Sequence, residues 1–308
     1  MLSRISARHP SVPLRQYTGD CYSDLVNKSE LQSIRNRKGA VGISEIPPVV
    51  RELLDHGIIE SVNLTEWLSV DQVSLLRTVL PKLGLRDAVK PALTVITLLK
   101  KPSQMQSIVA EALRSHARDS AEVYSCLLIH VSVTVRSWAA YVVGEDETLP
   151  LSQKLDRLRP LATDGNSGVR KVAWISLRGE IERDPRRAIK YLIPWTLEPD
   201  TNLRRFASES TRPRGVWCKH LERFKVNPEM GLPILESIHS DPSKDVHDSV
   251  ANWLNDASKS RPVWYANSVS DGASNPRRRK QATSSGGPCE PSIRNRNYLL
   301  INGRKGRT

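Results

Sequence analysis

Apolar residues recur along most of this chain at intervals of three and four, the period of a helix with one buried face, and no alternating strand pattern persists. A short helix with proline at its start is expected over 47–56, and further helices over 88–100, 104–117, 121–130 and 133–143. From Val70 onward, Val73, Leu76, Val79 and Leu80 follow helical spacing. Pro81 is expected to end or kink that helix near Leu80, with Gly84 marking the turn.

The second half repeats. Val135-Arg136, Val169-Arg170 and Leu203-Arg204 stand 34 residues apart each time, and Val246-His247 follows after 43. A turn with an acidic residue precedes the last three: Asp164-Gly165-Asn166-Ser167, Asp200-Thr201-Asn202 and Asp241-Pro242-Ser243. An apolar-then-basic pair opening the second helix of a two-helix unit is the pattern of a HEAT-type repeat, whose units bury their apolar faces only by stacking. The fold expected is all-α, a HEAT-like repeat α-solenoid whose second helices line the concave face of a curved superhelix. Three segments follow: residues 1–38 weakly ordered, 39–262 the solenoid, and 263–308 a basic tail. The tail is rich in Ser, Gly, Pro and Arg, is expected to be disordered, and its arginines are assigned no role.

Charge changes the picture by its location. The net +13 resides in the two ends: residues 1–40 hold seven Lys/Arg against three Asp/Glu, and 259–308 hold eleven against two. The middle is neutral overall, yet within it residues 151–225 hold seventeen basic against nine acidic side chains. A basic band on a neutral body suits phosphate binding, and a solvated helix face gives the same count. No apolar run reaches membrane-spanning length, and the start lacks the continuous apolar stretch of a secretory signal. The four cysteines lie far apart with no C-x-x-C pair, which favours free thiols in a reducing cytosol and disfavours a zinc site. Nucleotide-binding loops and the G-x-S-x-G and H-E-x-x-H motifs are absent, which removes support for hydrolases built on them.

Three helices carry candidate chemistry. On the helix from Asp200 to Thr211, Arg205, Glu209 and Arg212 share a face at i, i+4 and i+7; Pro213 stops the helix and the turn Arg214-Gly215-Val216 presents Trp217. That face is either a phosphate grip, with Arg204 beside it and Glu209 and Trp217 on a nucleotide, or a plain salt-bridge ladder. Arg170, Trp174 and Arg178 form a base–aromatic–base stripe at i, i+4 and i+8, fit for a DNA backbone or for a packed tryptophan between solvated arginines. Trp138, one repeat earlier, reads as core. On the helix from Ser243 to Ser258, the polar row Asp245, Ser249, Asn252 and Asp256 flanks a buried face of Val246, Val250, Trp253 and Ala257. This row faces either a sugar-phosphate or water.

The stretch Leu203-Arg204-Arg205-Phe206-Ala207-Ser208-Glu209-Ser210-Thr211-Arg212-Pro213-Arg214-Gly215-Val216-Trp217 resembles a signature of the AlkC/AlkD superfamily of DNA alkylation repair glycosylases, on the AlkC side. Asp248-Ser249-Val250-Ala251-Asn252-Trp253-Leu254-Asn255-Asp256 resembles a second run of that group, as do Ile46-Pro47-Pro48 and Asn63-Leu64-Thr65-Glu66-Trp67-Leu68. The resemblance implies hydrolysis of the N-glycosidic bond of a cationic alkylated purine such as 3-methyladenine in double-stranded DNA. It implies catalytic roles for Glu209, Asp256 and Trp217, and DNA contacts from Arg204, Arg205, Arg212, Arg214, Asn252 and Asn255; the stripe of Arg170, Trp174 and Arg178 joins these as DNA contacts on its spacing. Neither a cofactor nor a metal is expected, nor a membrane; a cytoplasmic monomer, nucleoid-associated when bound to DNA, is. The sequence departs from the group at Lys171, where close relatives carry an acid. A non-catalytic DNA-binding relative and a protein-interaction scaffold are therefore the alternatives.

Overall fold

The computed structural model describes residues 26–96, 102–216 and 218–274, and among them every regular element is helical. The first helices are α1 (Lys28–Arg35), α2 (Pro48–Asp55), α3 (Leu64–Ser69), α4 (Gln72–Lys82), α5 (Arg86–Ile96), α6 (Pro102–Asp119) and α7 (Ala121–Ile129). Next come α8 (Val133–Gly144), α9 (Leu151–Ala162), α10 (Ser167–Ser176), α11 (Arg178–Arg183), α12 (Pro185–Leu192) and α13 (Thr201–Ser210). The series ends with α14 (Glu222–Val226), α15 (Leu232–Ser237), α16 (Lys244–Ser258) and α17 (Pro262–Ser274). Helix α4 runs through Pro81 into Lys82, because a proline in the last turn forfeits little hydrogen bonding. Gly84, at φ 75°, then supplies the left-handed residue that stops it.

The stacking follows the repeat. Helix α8 packs on α6 and α10, α10 on α13, and α13 on α16, while α9, α12 and α15 form the companion layer. Helix α8 is buried on every side, which accounts for its weak polar face. Its last residue, Gly144, has to be small: a Cβ there would lie 2.2 Å from the Ser176 hydroxyl of α10. Trp138 is fully buried, as read from the sequence.

The repeated residues have a common job. Asp164, Asp200 and Asp241 each accept the backbone N–H two residues on, at 2.7, 2.7 and 2.9 Å, and so set the turn that starts the next helix. The repeated arginines donate backwards. Arg136 bonds the carbonyls of His130 and Val131 (2.6 and 2.9 Å), Arg170 those of Asp164 and Gly165 (2.6 and 3.0 Å), and Arg204 those of Glu198 and Pro199 (2.9 and 2.8 Å). Arg136 also pairs with Asp164, and Arg204 with Asp241, so each of these links two successive turns.

Two segment boundaries differ from expectation. Before residue 39 the chain is helical over Lys28–Arg35, and Arg37 anchors it by pairing with buried Glu66 and bonding the carbonyls of Ile34 and Glu60. Beyond residue 262, α17 continues to Ser274 because Trp264 packs on Trp253, ring centroids 6.3 Å apart; Ser and Asn around that tryptophan obscured it in the sequence. Residues 1–25 and 275–308 lie outside the described residues. Cys126 and Cys218 are free thiols.

His130 gives the fold a pH dependence. Its Nδ1 accepts the Ser132 N–H at 3.0 Å, and burial, with the charges of Arg136 and Lys82, pushes its pKa down to about 4. The neutral ring is the folded form, so the unfolded chain takes up the proton first and stability is lost as pH falls from 6.5 toward 4. Thermal melts should show a loss on the order of 2–3 kcal/mol across that window. In His130→Asn, whose Oδ1 accepts the same N–H, the loss should shrink; an unchanged pH slope would remove His130 as its cause.

Candidate functional site

Helix α13 is capped by Asp200 and buries Leu203, Phe206 and Ala207, with Phe206 against Trp195 at 4.7 Å between ring centroids. Helix α16 lies beside it in a register fixed by polar contacts. Trp253 Nε1 donates to the Thr211 carbonyl and hydroxyl (3.1 and 3.2 Å), and the Ser249 hydroxyl donates to that of Ser208 (3.0 Å). Sliding α16 by one turn would leave these buried groups unpaired.

That register brings the two predicted acids together. Arg212, just past the end of α13, donates through Nη1 to Glu209 at 3.1 Å and through Nε to Asp256 at 3.0 Å, with its Nη2 2.9 Å from Asp256. The Glu209 and Asp256 side chains are 4% and 5% exposed, and Arg212 is 12%. Burial opposes the Arg212 charge, but the two carboxylates win and raise its pKa above the ordinary value. Arg205 stands 3.6 Å from Glu209 and Lys259 3.6 Å from Asp256, at the longer limit of an ion pair. The ladder weighed from spacing is therefore present, and Asp256 extends it to the next repeat.

A hollow of about 280 Å³ opens over this cluster, lined by Arg170, Lys171, Trp174, Arg205, Glu209, Arg212 and Asn252 among others. Lys171 also lines a larger cavity of about 1210 Å³, whose walls include Trp67, Tyr141, Glu145, Lys154 and Cys218. There Lys154 is almost fully buried and ion-paired with Glu180 at 2.9 Å, while burial pushes the Glu145 carboxyl up against the opposing bond from Ser107. Burial lowers the Lys171 pKa, and the charge of Glu209 resists that shift. Lys171 entered the sequence reading as a departure, and Glu145 and Lys154 were not singled out. Lys154 is a charge on the buried face of α9, and Glu145 follows the last residue of α8.

Other sequence candidates are occupied differently. Every Arg204 nitrogen is engaged: it holds two carbonyls, Asp241 and the Thr201 hydroxyl. The Arg170–Trp174–Arg178 stripe is broken, since α10 ends at Ser176. Arg178, buried on α11, donates to the carbonyls of Lys219 and Arg212 (3.0 and 2.9 Å) and so holds both ends of the loop after α13. Arg214 reaches Ser260 at 2.9 Å. Asn252 and Asn255 are exposed, and only Asn252 of the two lines the smaller hollow. Trp217 lies outside the described residues. Among the described residues no three His, Cys, Asp or Glu side chains group as metal ligands, and no helix is long and apolar enough to cross a membrane.

Comparison with solved structures places this architecture. The chain superposes on the Pseudomonas fluorescens alkylpurine DNA glycosylase AlkC, in a structure bound to DNA containing an abasic site analog, with a TM-score of 0.55 and 23% identity. The fold is that of AlkC. The match covers 75% of this chain and 60% of the AlkC chain. The chain is also similar to the uncharacterized protein YhaZ of Bacillus subtilis (strain 168), 43% identical over 79 residues, which are 26% of this chain and 22% of YhaZ. No protein-family model matches.

The cluster predicts its own energetics. Arg212→Met should cost about 3–5 kcal/mol in denaturant unfolding, because two buried acids lose their shared cation. Adding Glu209→Gln and Asp256→Asn to that background should recover much of the loss. Additive losses across this cycle would show that the three groups are not coupled. Arg204→Gln should cost about 1–3 kcal/mol in denaturant unfolding for the carbonyls and the carboxylate it leaves unpaired.

Proposed function

We propose that this chain is a DNA glycosylase that hydrolyses the N-glycosidic bond of cationic alkylated purines, 3-methyladenine among them, in double-stranded DNA. The observation that carries the reading is the buried Glu209–Arg212–Asp256 bridge under a hollow rimmed by Arg170, Arg205 and Asn252. The fold shared with AlkC, a glycosylase seen on DNA with an abasic site analog, supports it.

The chemistry fits the charges. A positively charged purine is already a good leaving group, so bond cleavage needs no strong general acid. What develops is positive charge on the deoxyribose, and preorganised carboxylates beside it lower the barrier. Glu209 and Asp256, held by Arg212 between them, are carboxylates fixed in place before substrate arrives. One of Glu209 and Asp256 faces the sugar as cation stabiliser while the other positions water. Trp174 supplies aromatic surface for the cationic base or its sugar, the role that the sequence resemblance also implies for Trp217, and Arg205 and Arg214 meet phosphates. The enzyme acts as a cytoplasmic monomer that joins the nucleoid through its DNA, with neither metal nor cofactor.

A second reading, a DNA-binding relative without base release, is favoured by Lys171: its cation beside Glu209 offsets the negative charge that the reaction uses. Incubation with N-methylpurine DNA and chromatography of freed bases separates the two. Release is expected, and Glu209→Gln or Asp256→Asn should each slow it about 10²–10³-fold, the scale of removing one preorganised charge partner. Salt-sensitive binding without release would support the second reading, and full release by the double variant would remove both acids from the mechanism.

A further inference from the structure

Lys171 lies on the wall shared by both hollows, half-buried, on the helix that faces Glu209. We infer that Lys171 Nζ attacks the C1′ aldehyde of a ring-opened abasic deoxyribose in the smaller hollow, giving the chain a β-elimination activity that cuts the strand 3′ to the abasic site. This rests on the preceding reading insofar as base release is what leaves an abasic sugar there.

The geometry selects this lysine over its neighbours. Lys154 is almost fully buried and held by Glu180, and Lys219 is exposed at the edge of the larger cavity only. Lys171 alone of these borders the hollow that also holds Glu209. Burial lowers its pKa, which raises the fraction of nucleophilic amine, while Arg205 and Arg212 act in the same direction and Glu209 opposes them.

The steps balance without an outside reagent. Nζ adds to C1′, water leaves and an iminium forms. A carboxylate of the cluster, Glu209 being the strongest opposite charge on Lys171, takes the C2′ proton; the electron pair forms the C2′–C3′ double bond and the 3′ phosphate leaves with the C3′–O electrons. Water then hydrolyses the unsaturated iminium, freeing Lys171 and leaving an unsaturated aldehyde on one strand end and a 5′ phosphate on the other. The water lost at the start is regained at the end, and nothing is oxidised or reduced.

The test supplies the abasic site ready-made, so that it is read separately from base release. The full chain is mixed with duplex DNA bearing a preformed abasic site, with sodium borohydride to reduce the imine to a stable amine. A covalent protein–DNA adduct is expected on a denaturing gel, with peptide mass spectrometry locating it at Lys171. Without borohydride, strand scission with an unsaturated 3′ aldehyde end is expected. Lys171→Gln should cut the adduct yield about tenfold or more, and Lys219→Gln should leave it unchanged. No adduct, an adduct mapped to another lysine, or equal yields from the two variants would overturn the inference. Release of methylpurines without adduct sinks this inference alone, whereas an adduct without methylpurine release sinks the glycosylase reading and leaves this one standing.

Discussion

One guanidinium between two buried carboxylates is the constraint on which the site depends. Glu209 and Asp256 belong to successive repeats and are both almost fully buried, so without a cation between them two like charges would face each other out of water and push the helices apart. Arg212 prevents this. It comes from the chain just after α13, where Pro213 has ended the helix, and the same peptide stretch is held from outside by Arg178 through the Arg212 carbonyl. The position of the bridging cation is therefore set by backbone contacts as well as by the acids it serves.

Arginine performs two separate jobs in this chain, and the sequence distinguishes them only in part. The Val-Arg and Leu-Arg pairs 34 residues apart foretold stacked helix pairs, and the stacking of α8, α10, α13 and α16 follows that order. The convergence of Glu209 and Asp256 was legible from two motifs on consecutive second helices. What stayed hidden were partners with no side-chain signature. Arg204 and Arg178 end on backbone carbonyls, and a carbonyl looks the same under every residue. The break at Ser176 was equally silent, because no glycine or proline marks it, and it turned an apparent one-face stripe into two unrelated arginines. Trp264 hid for another reason: its packing on Trp253 of the preceding helix leaves no periodic mark in a short segment that Ser and Asn soon interrupt.

The basic band shows the same limit from the side of charge. Seventeen basic side chains against nine acidic ones between 151 and 225 suggest a phosphate-binding surface, yet Arg178, Arg204 and Arg212 are spent inside the protein on carbonyls and acids. Arg186, Arg187 and Lys190 stand exposed on α12, in the layer opposite the second helices. Counting charge thus overstates what the hollow offers. What remains at its edge is led by Arg205, since Arg170 already donates to the Asp164 and Gly165 carbonyls; Glu209 and Arg212 line the hollow, and Asp256 is bonded to Arg212 from outside that lining.

That arrangement explains why burial and charge belong together here. In the proposed reading, a floor of acids alone would repel DNA, and a floor of arginines alone would oppose a cationic purine and a cationic sugar. On that reading, Glu209 beside Arg212 in the hollow and Arg205 at its edge would separate attraction for positive charge from attraction for phosphate. Low exposure sharpens that separation, since water screens the rim far more than the floor. Lys171, which lines both hollows, brings a further cation beside Glu209. A group placed there either weakens the field that the acids create or adds a nucleophile to it, and the chemistry of the abasic sugar is where those two consequences diverge.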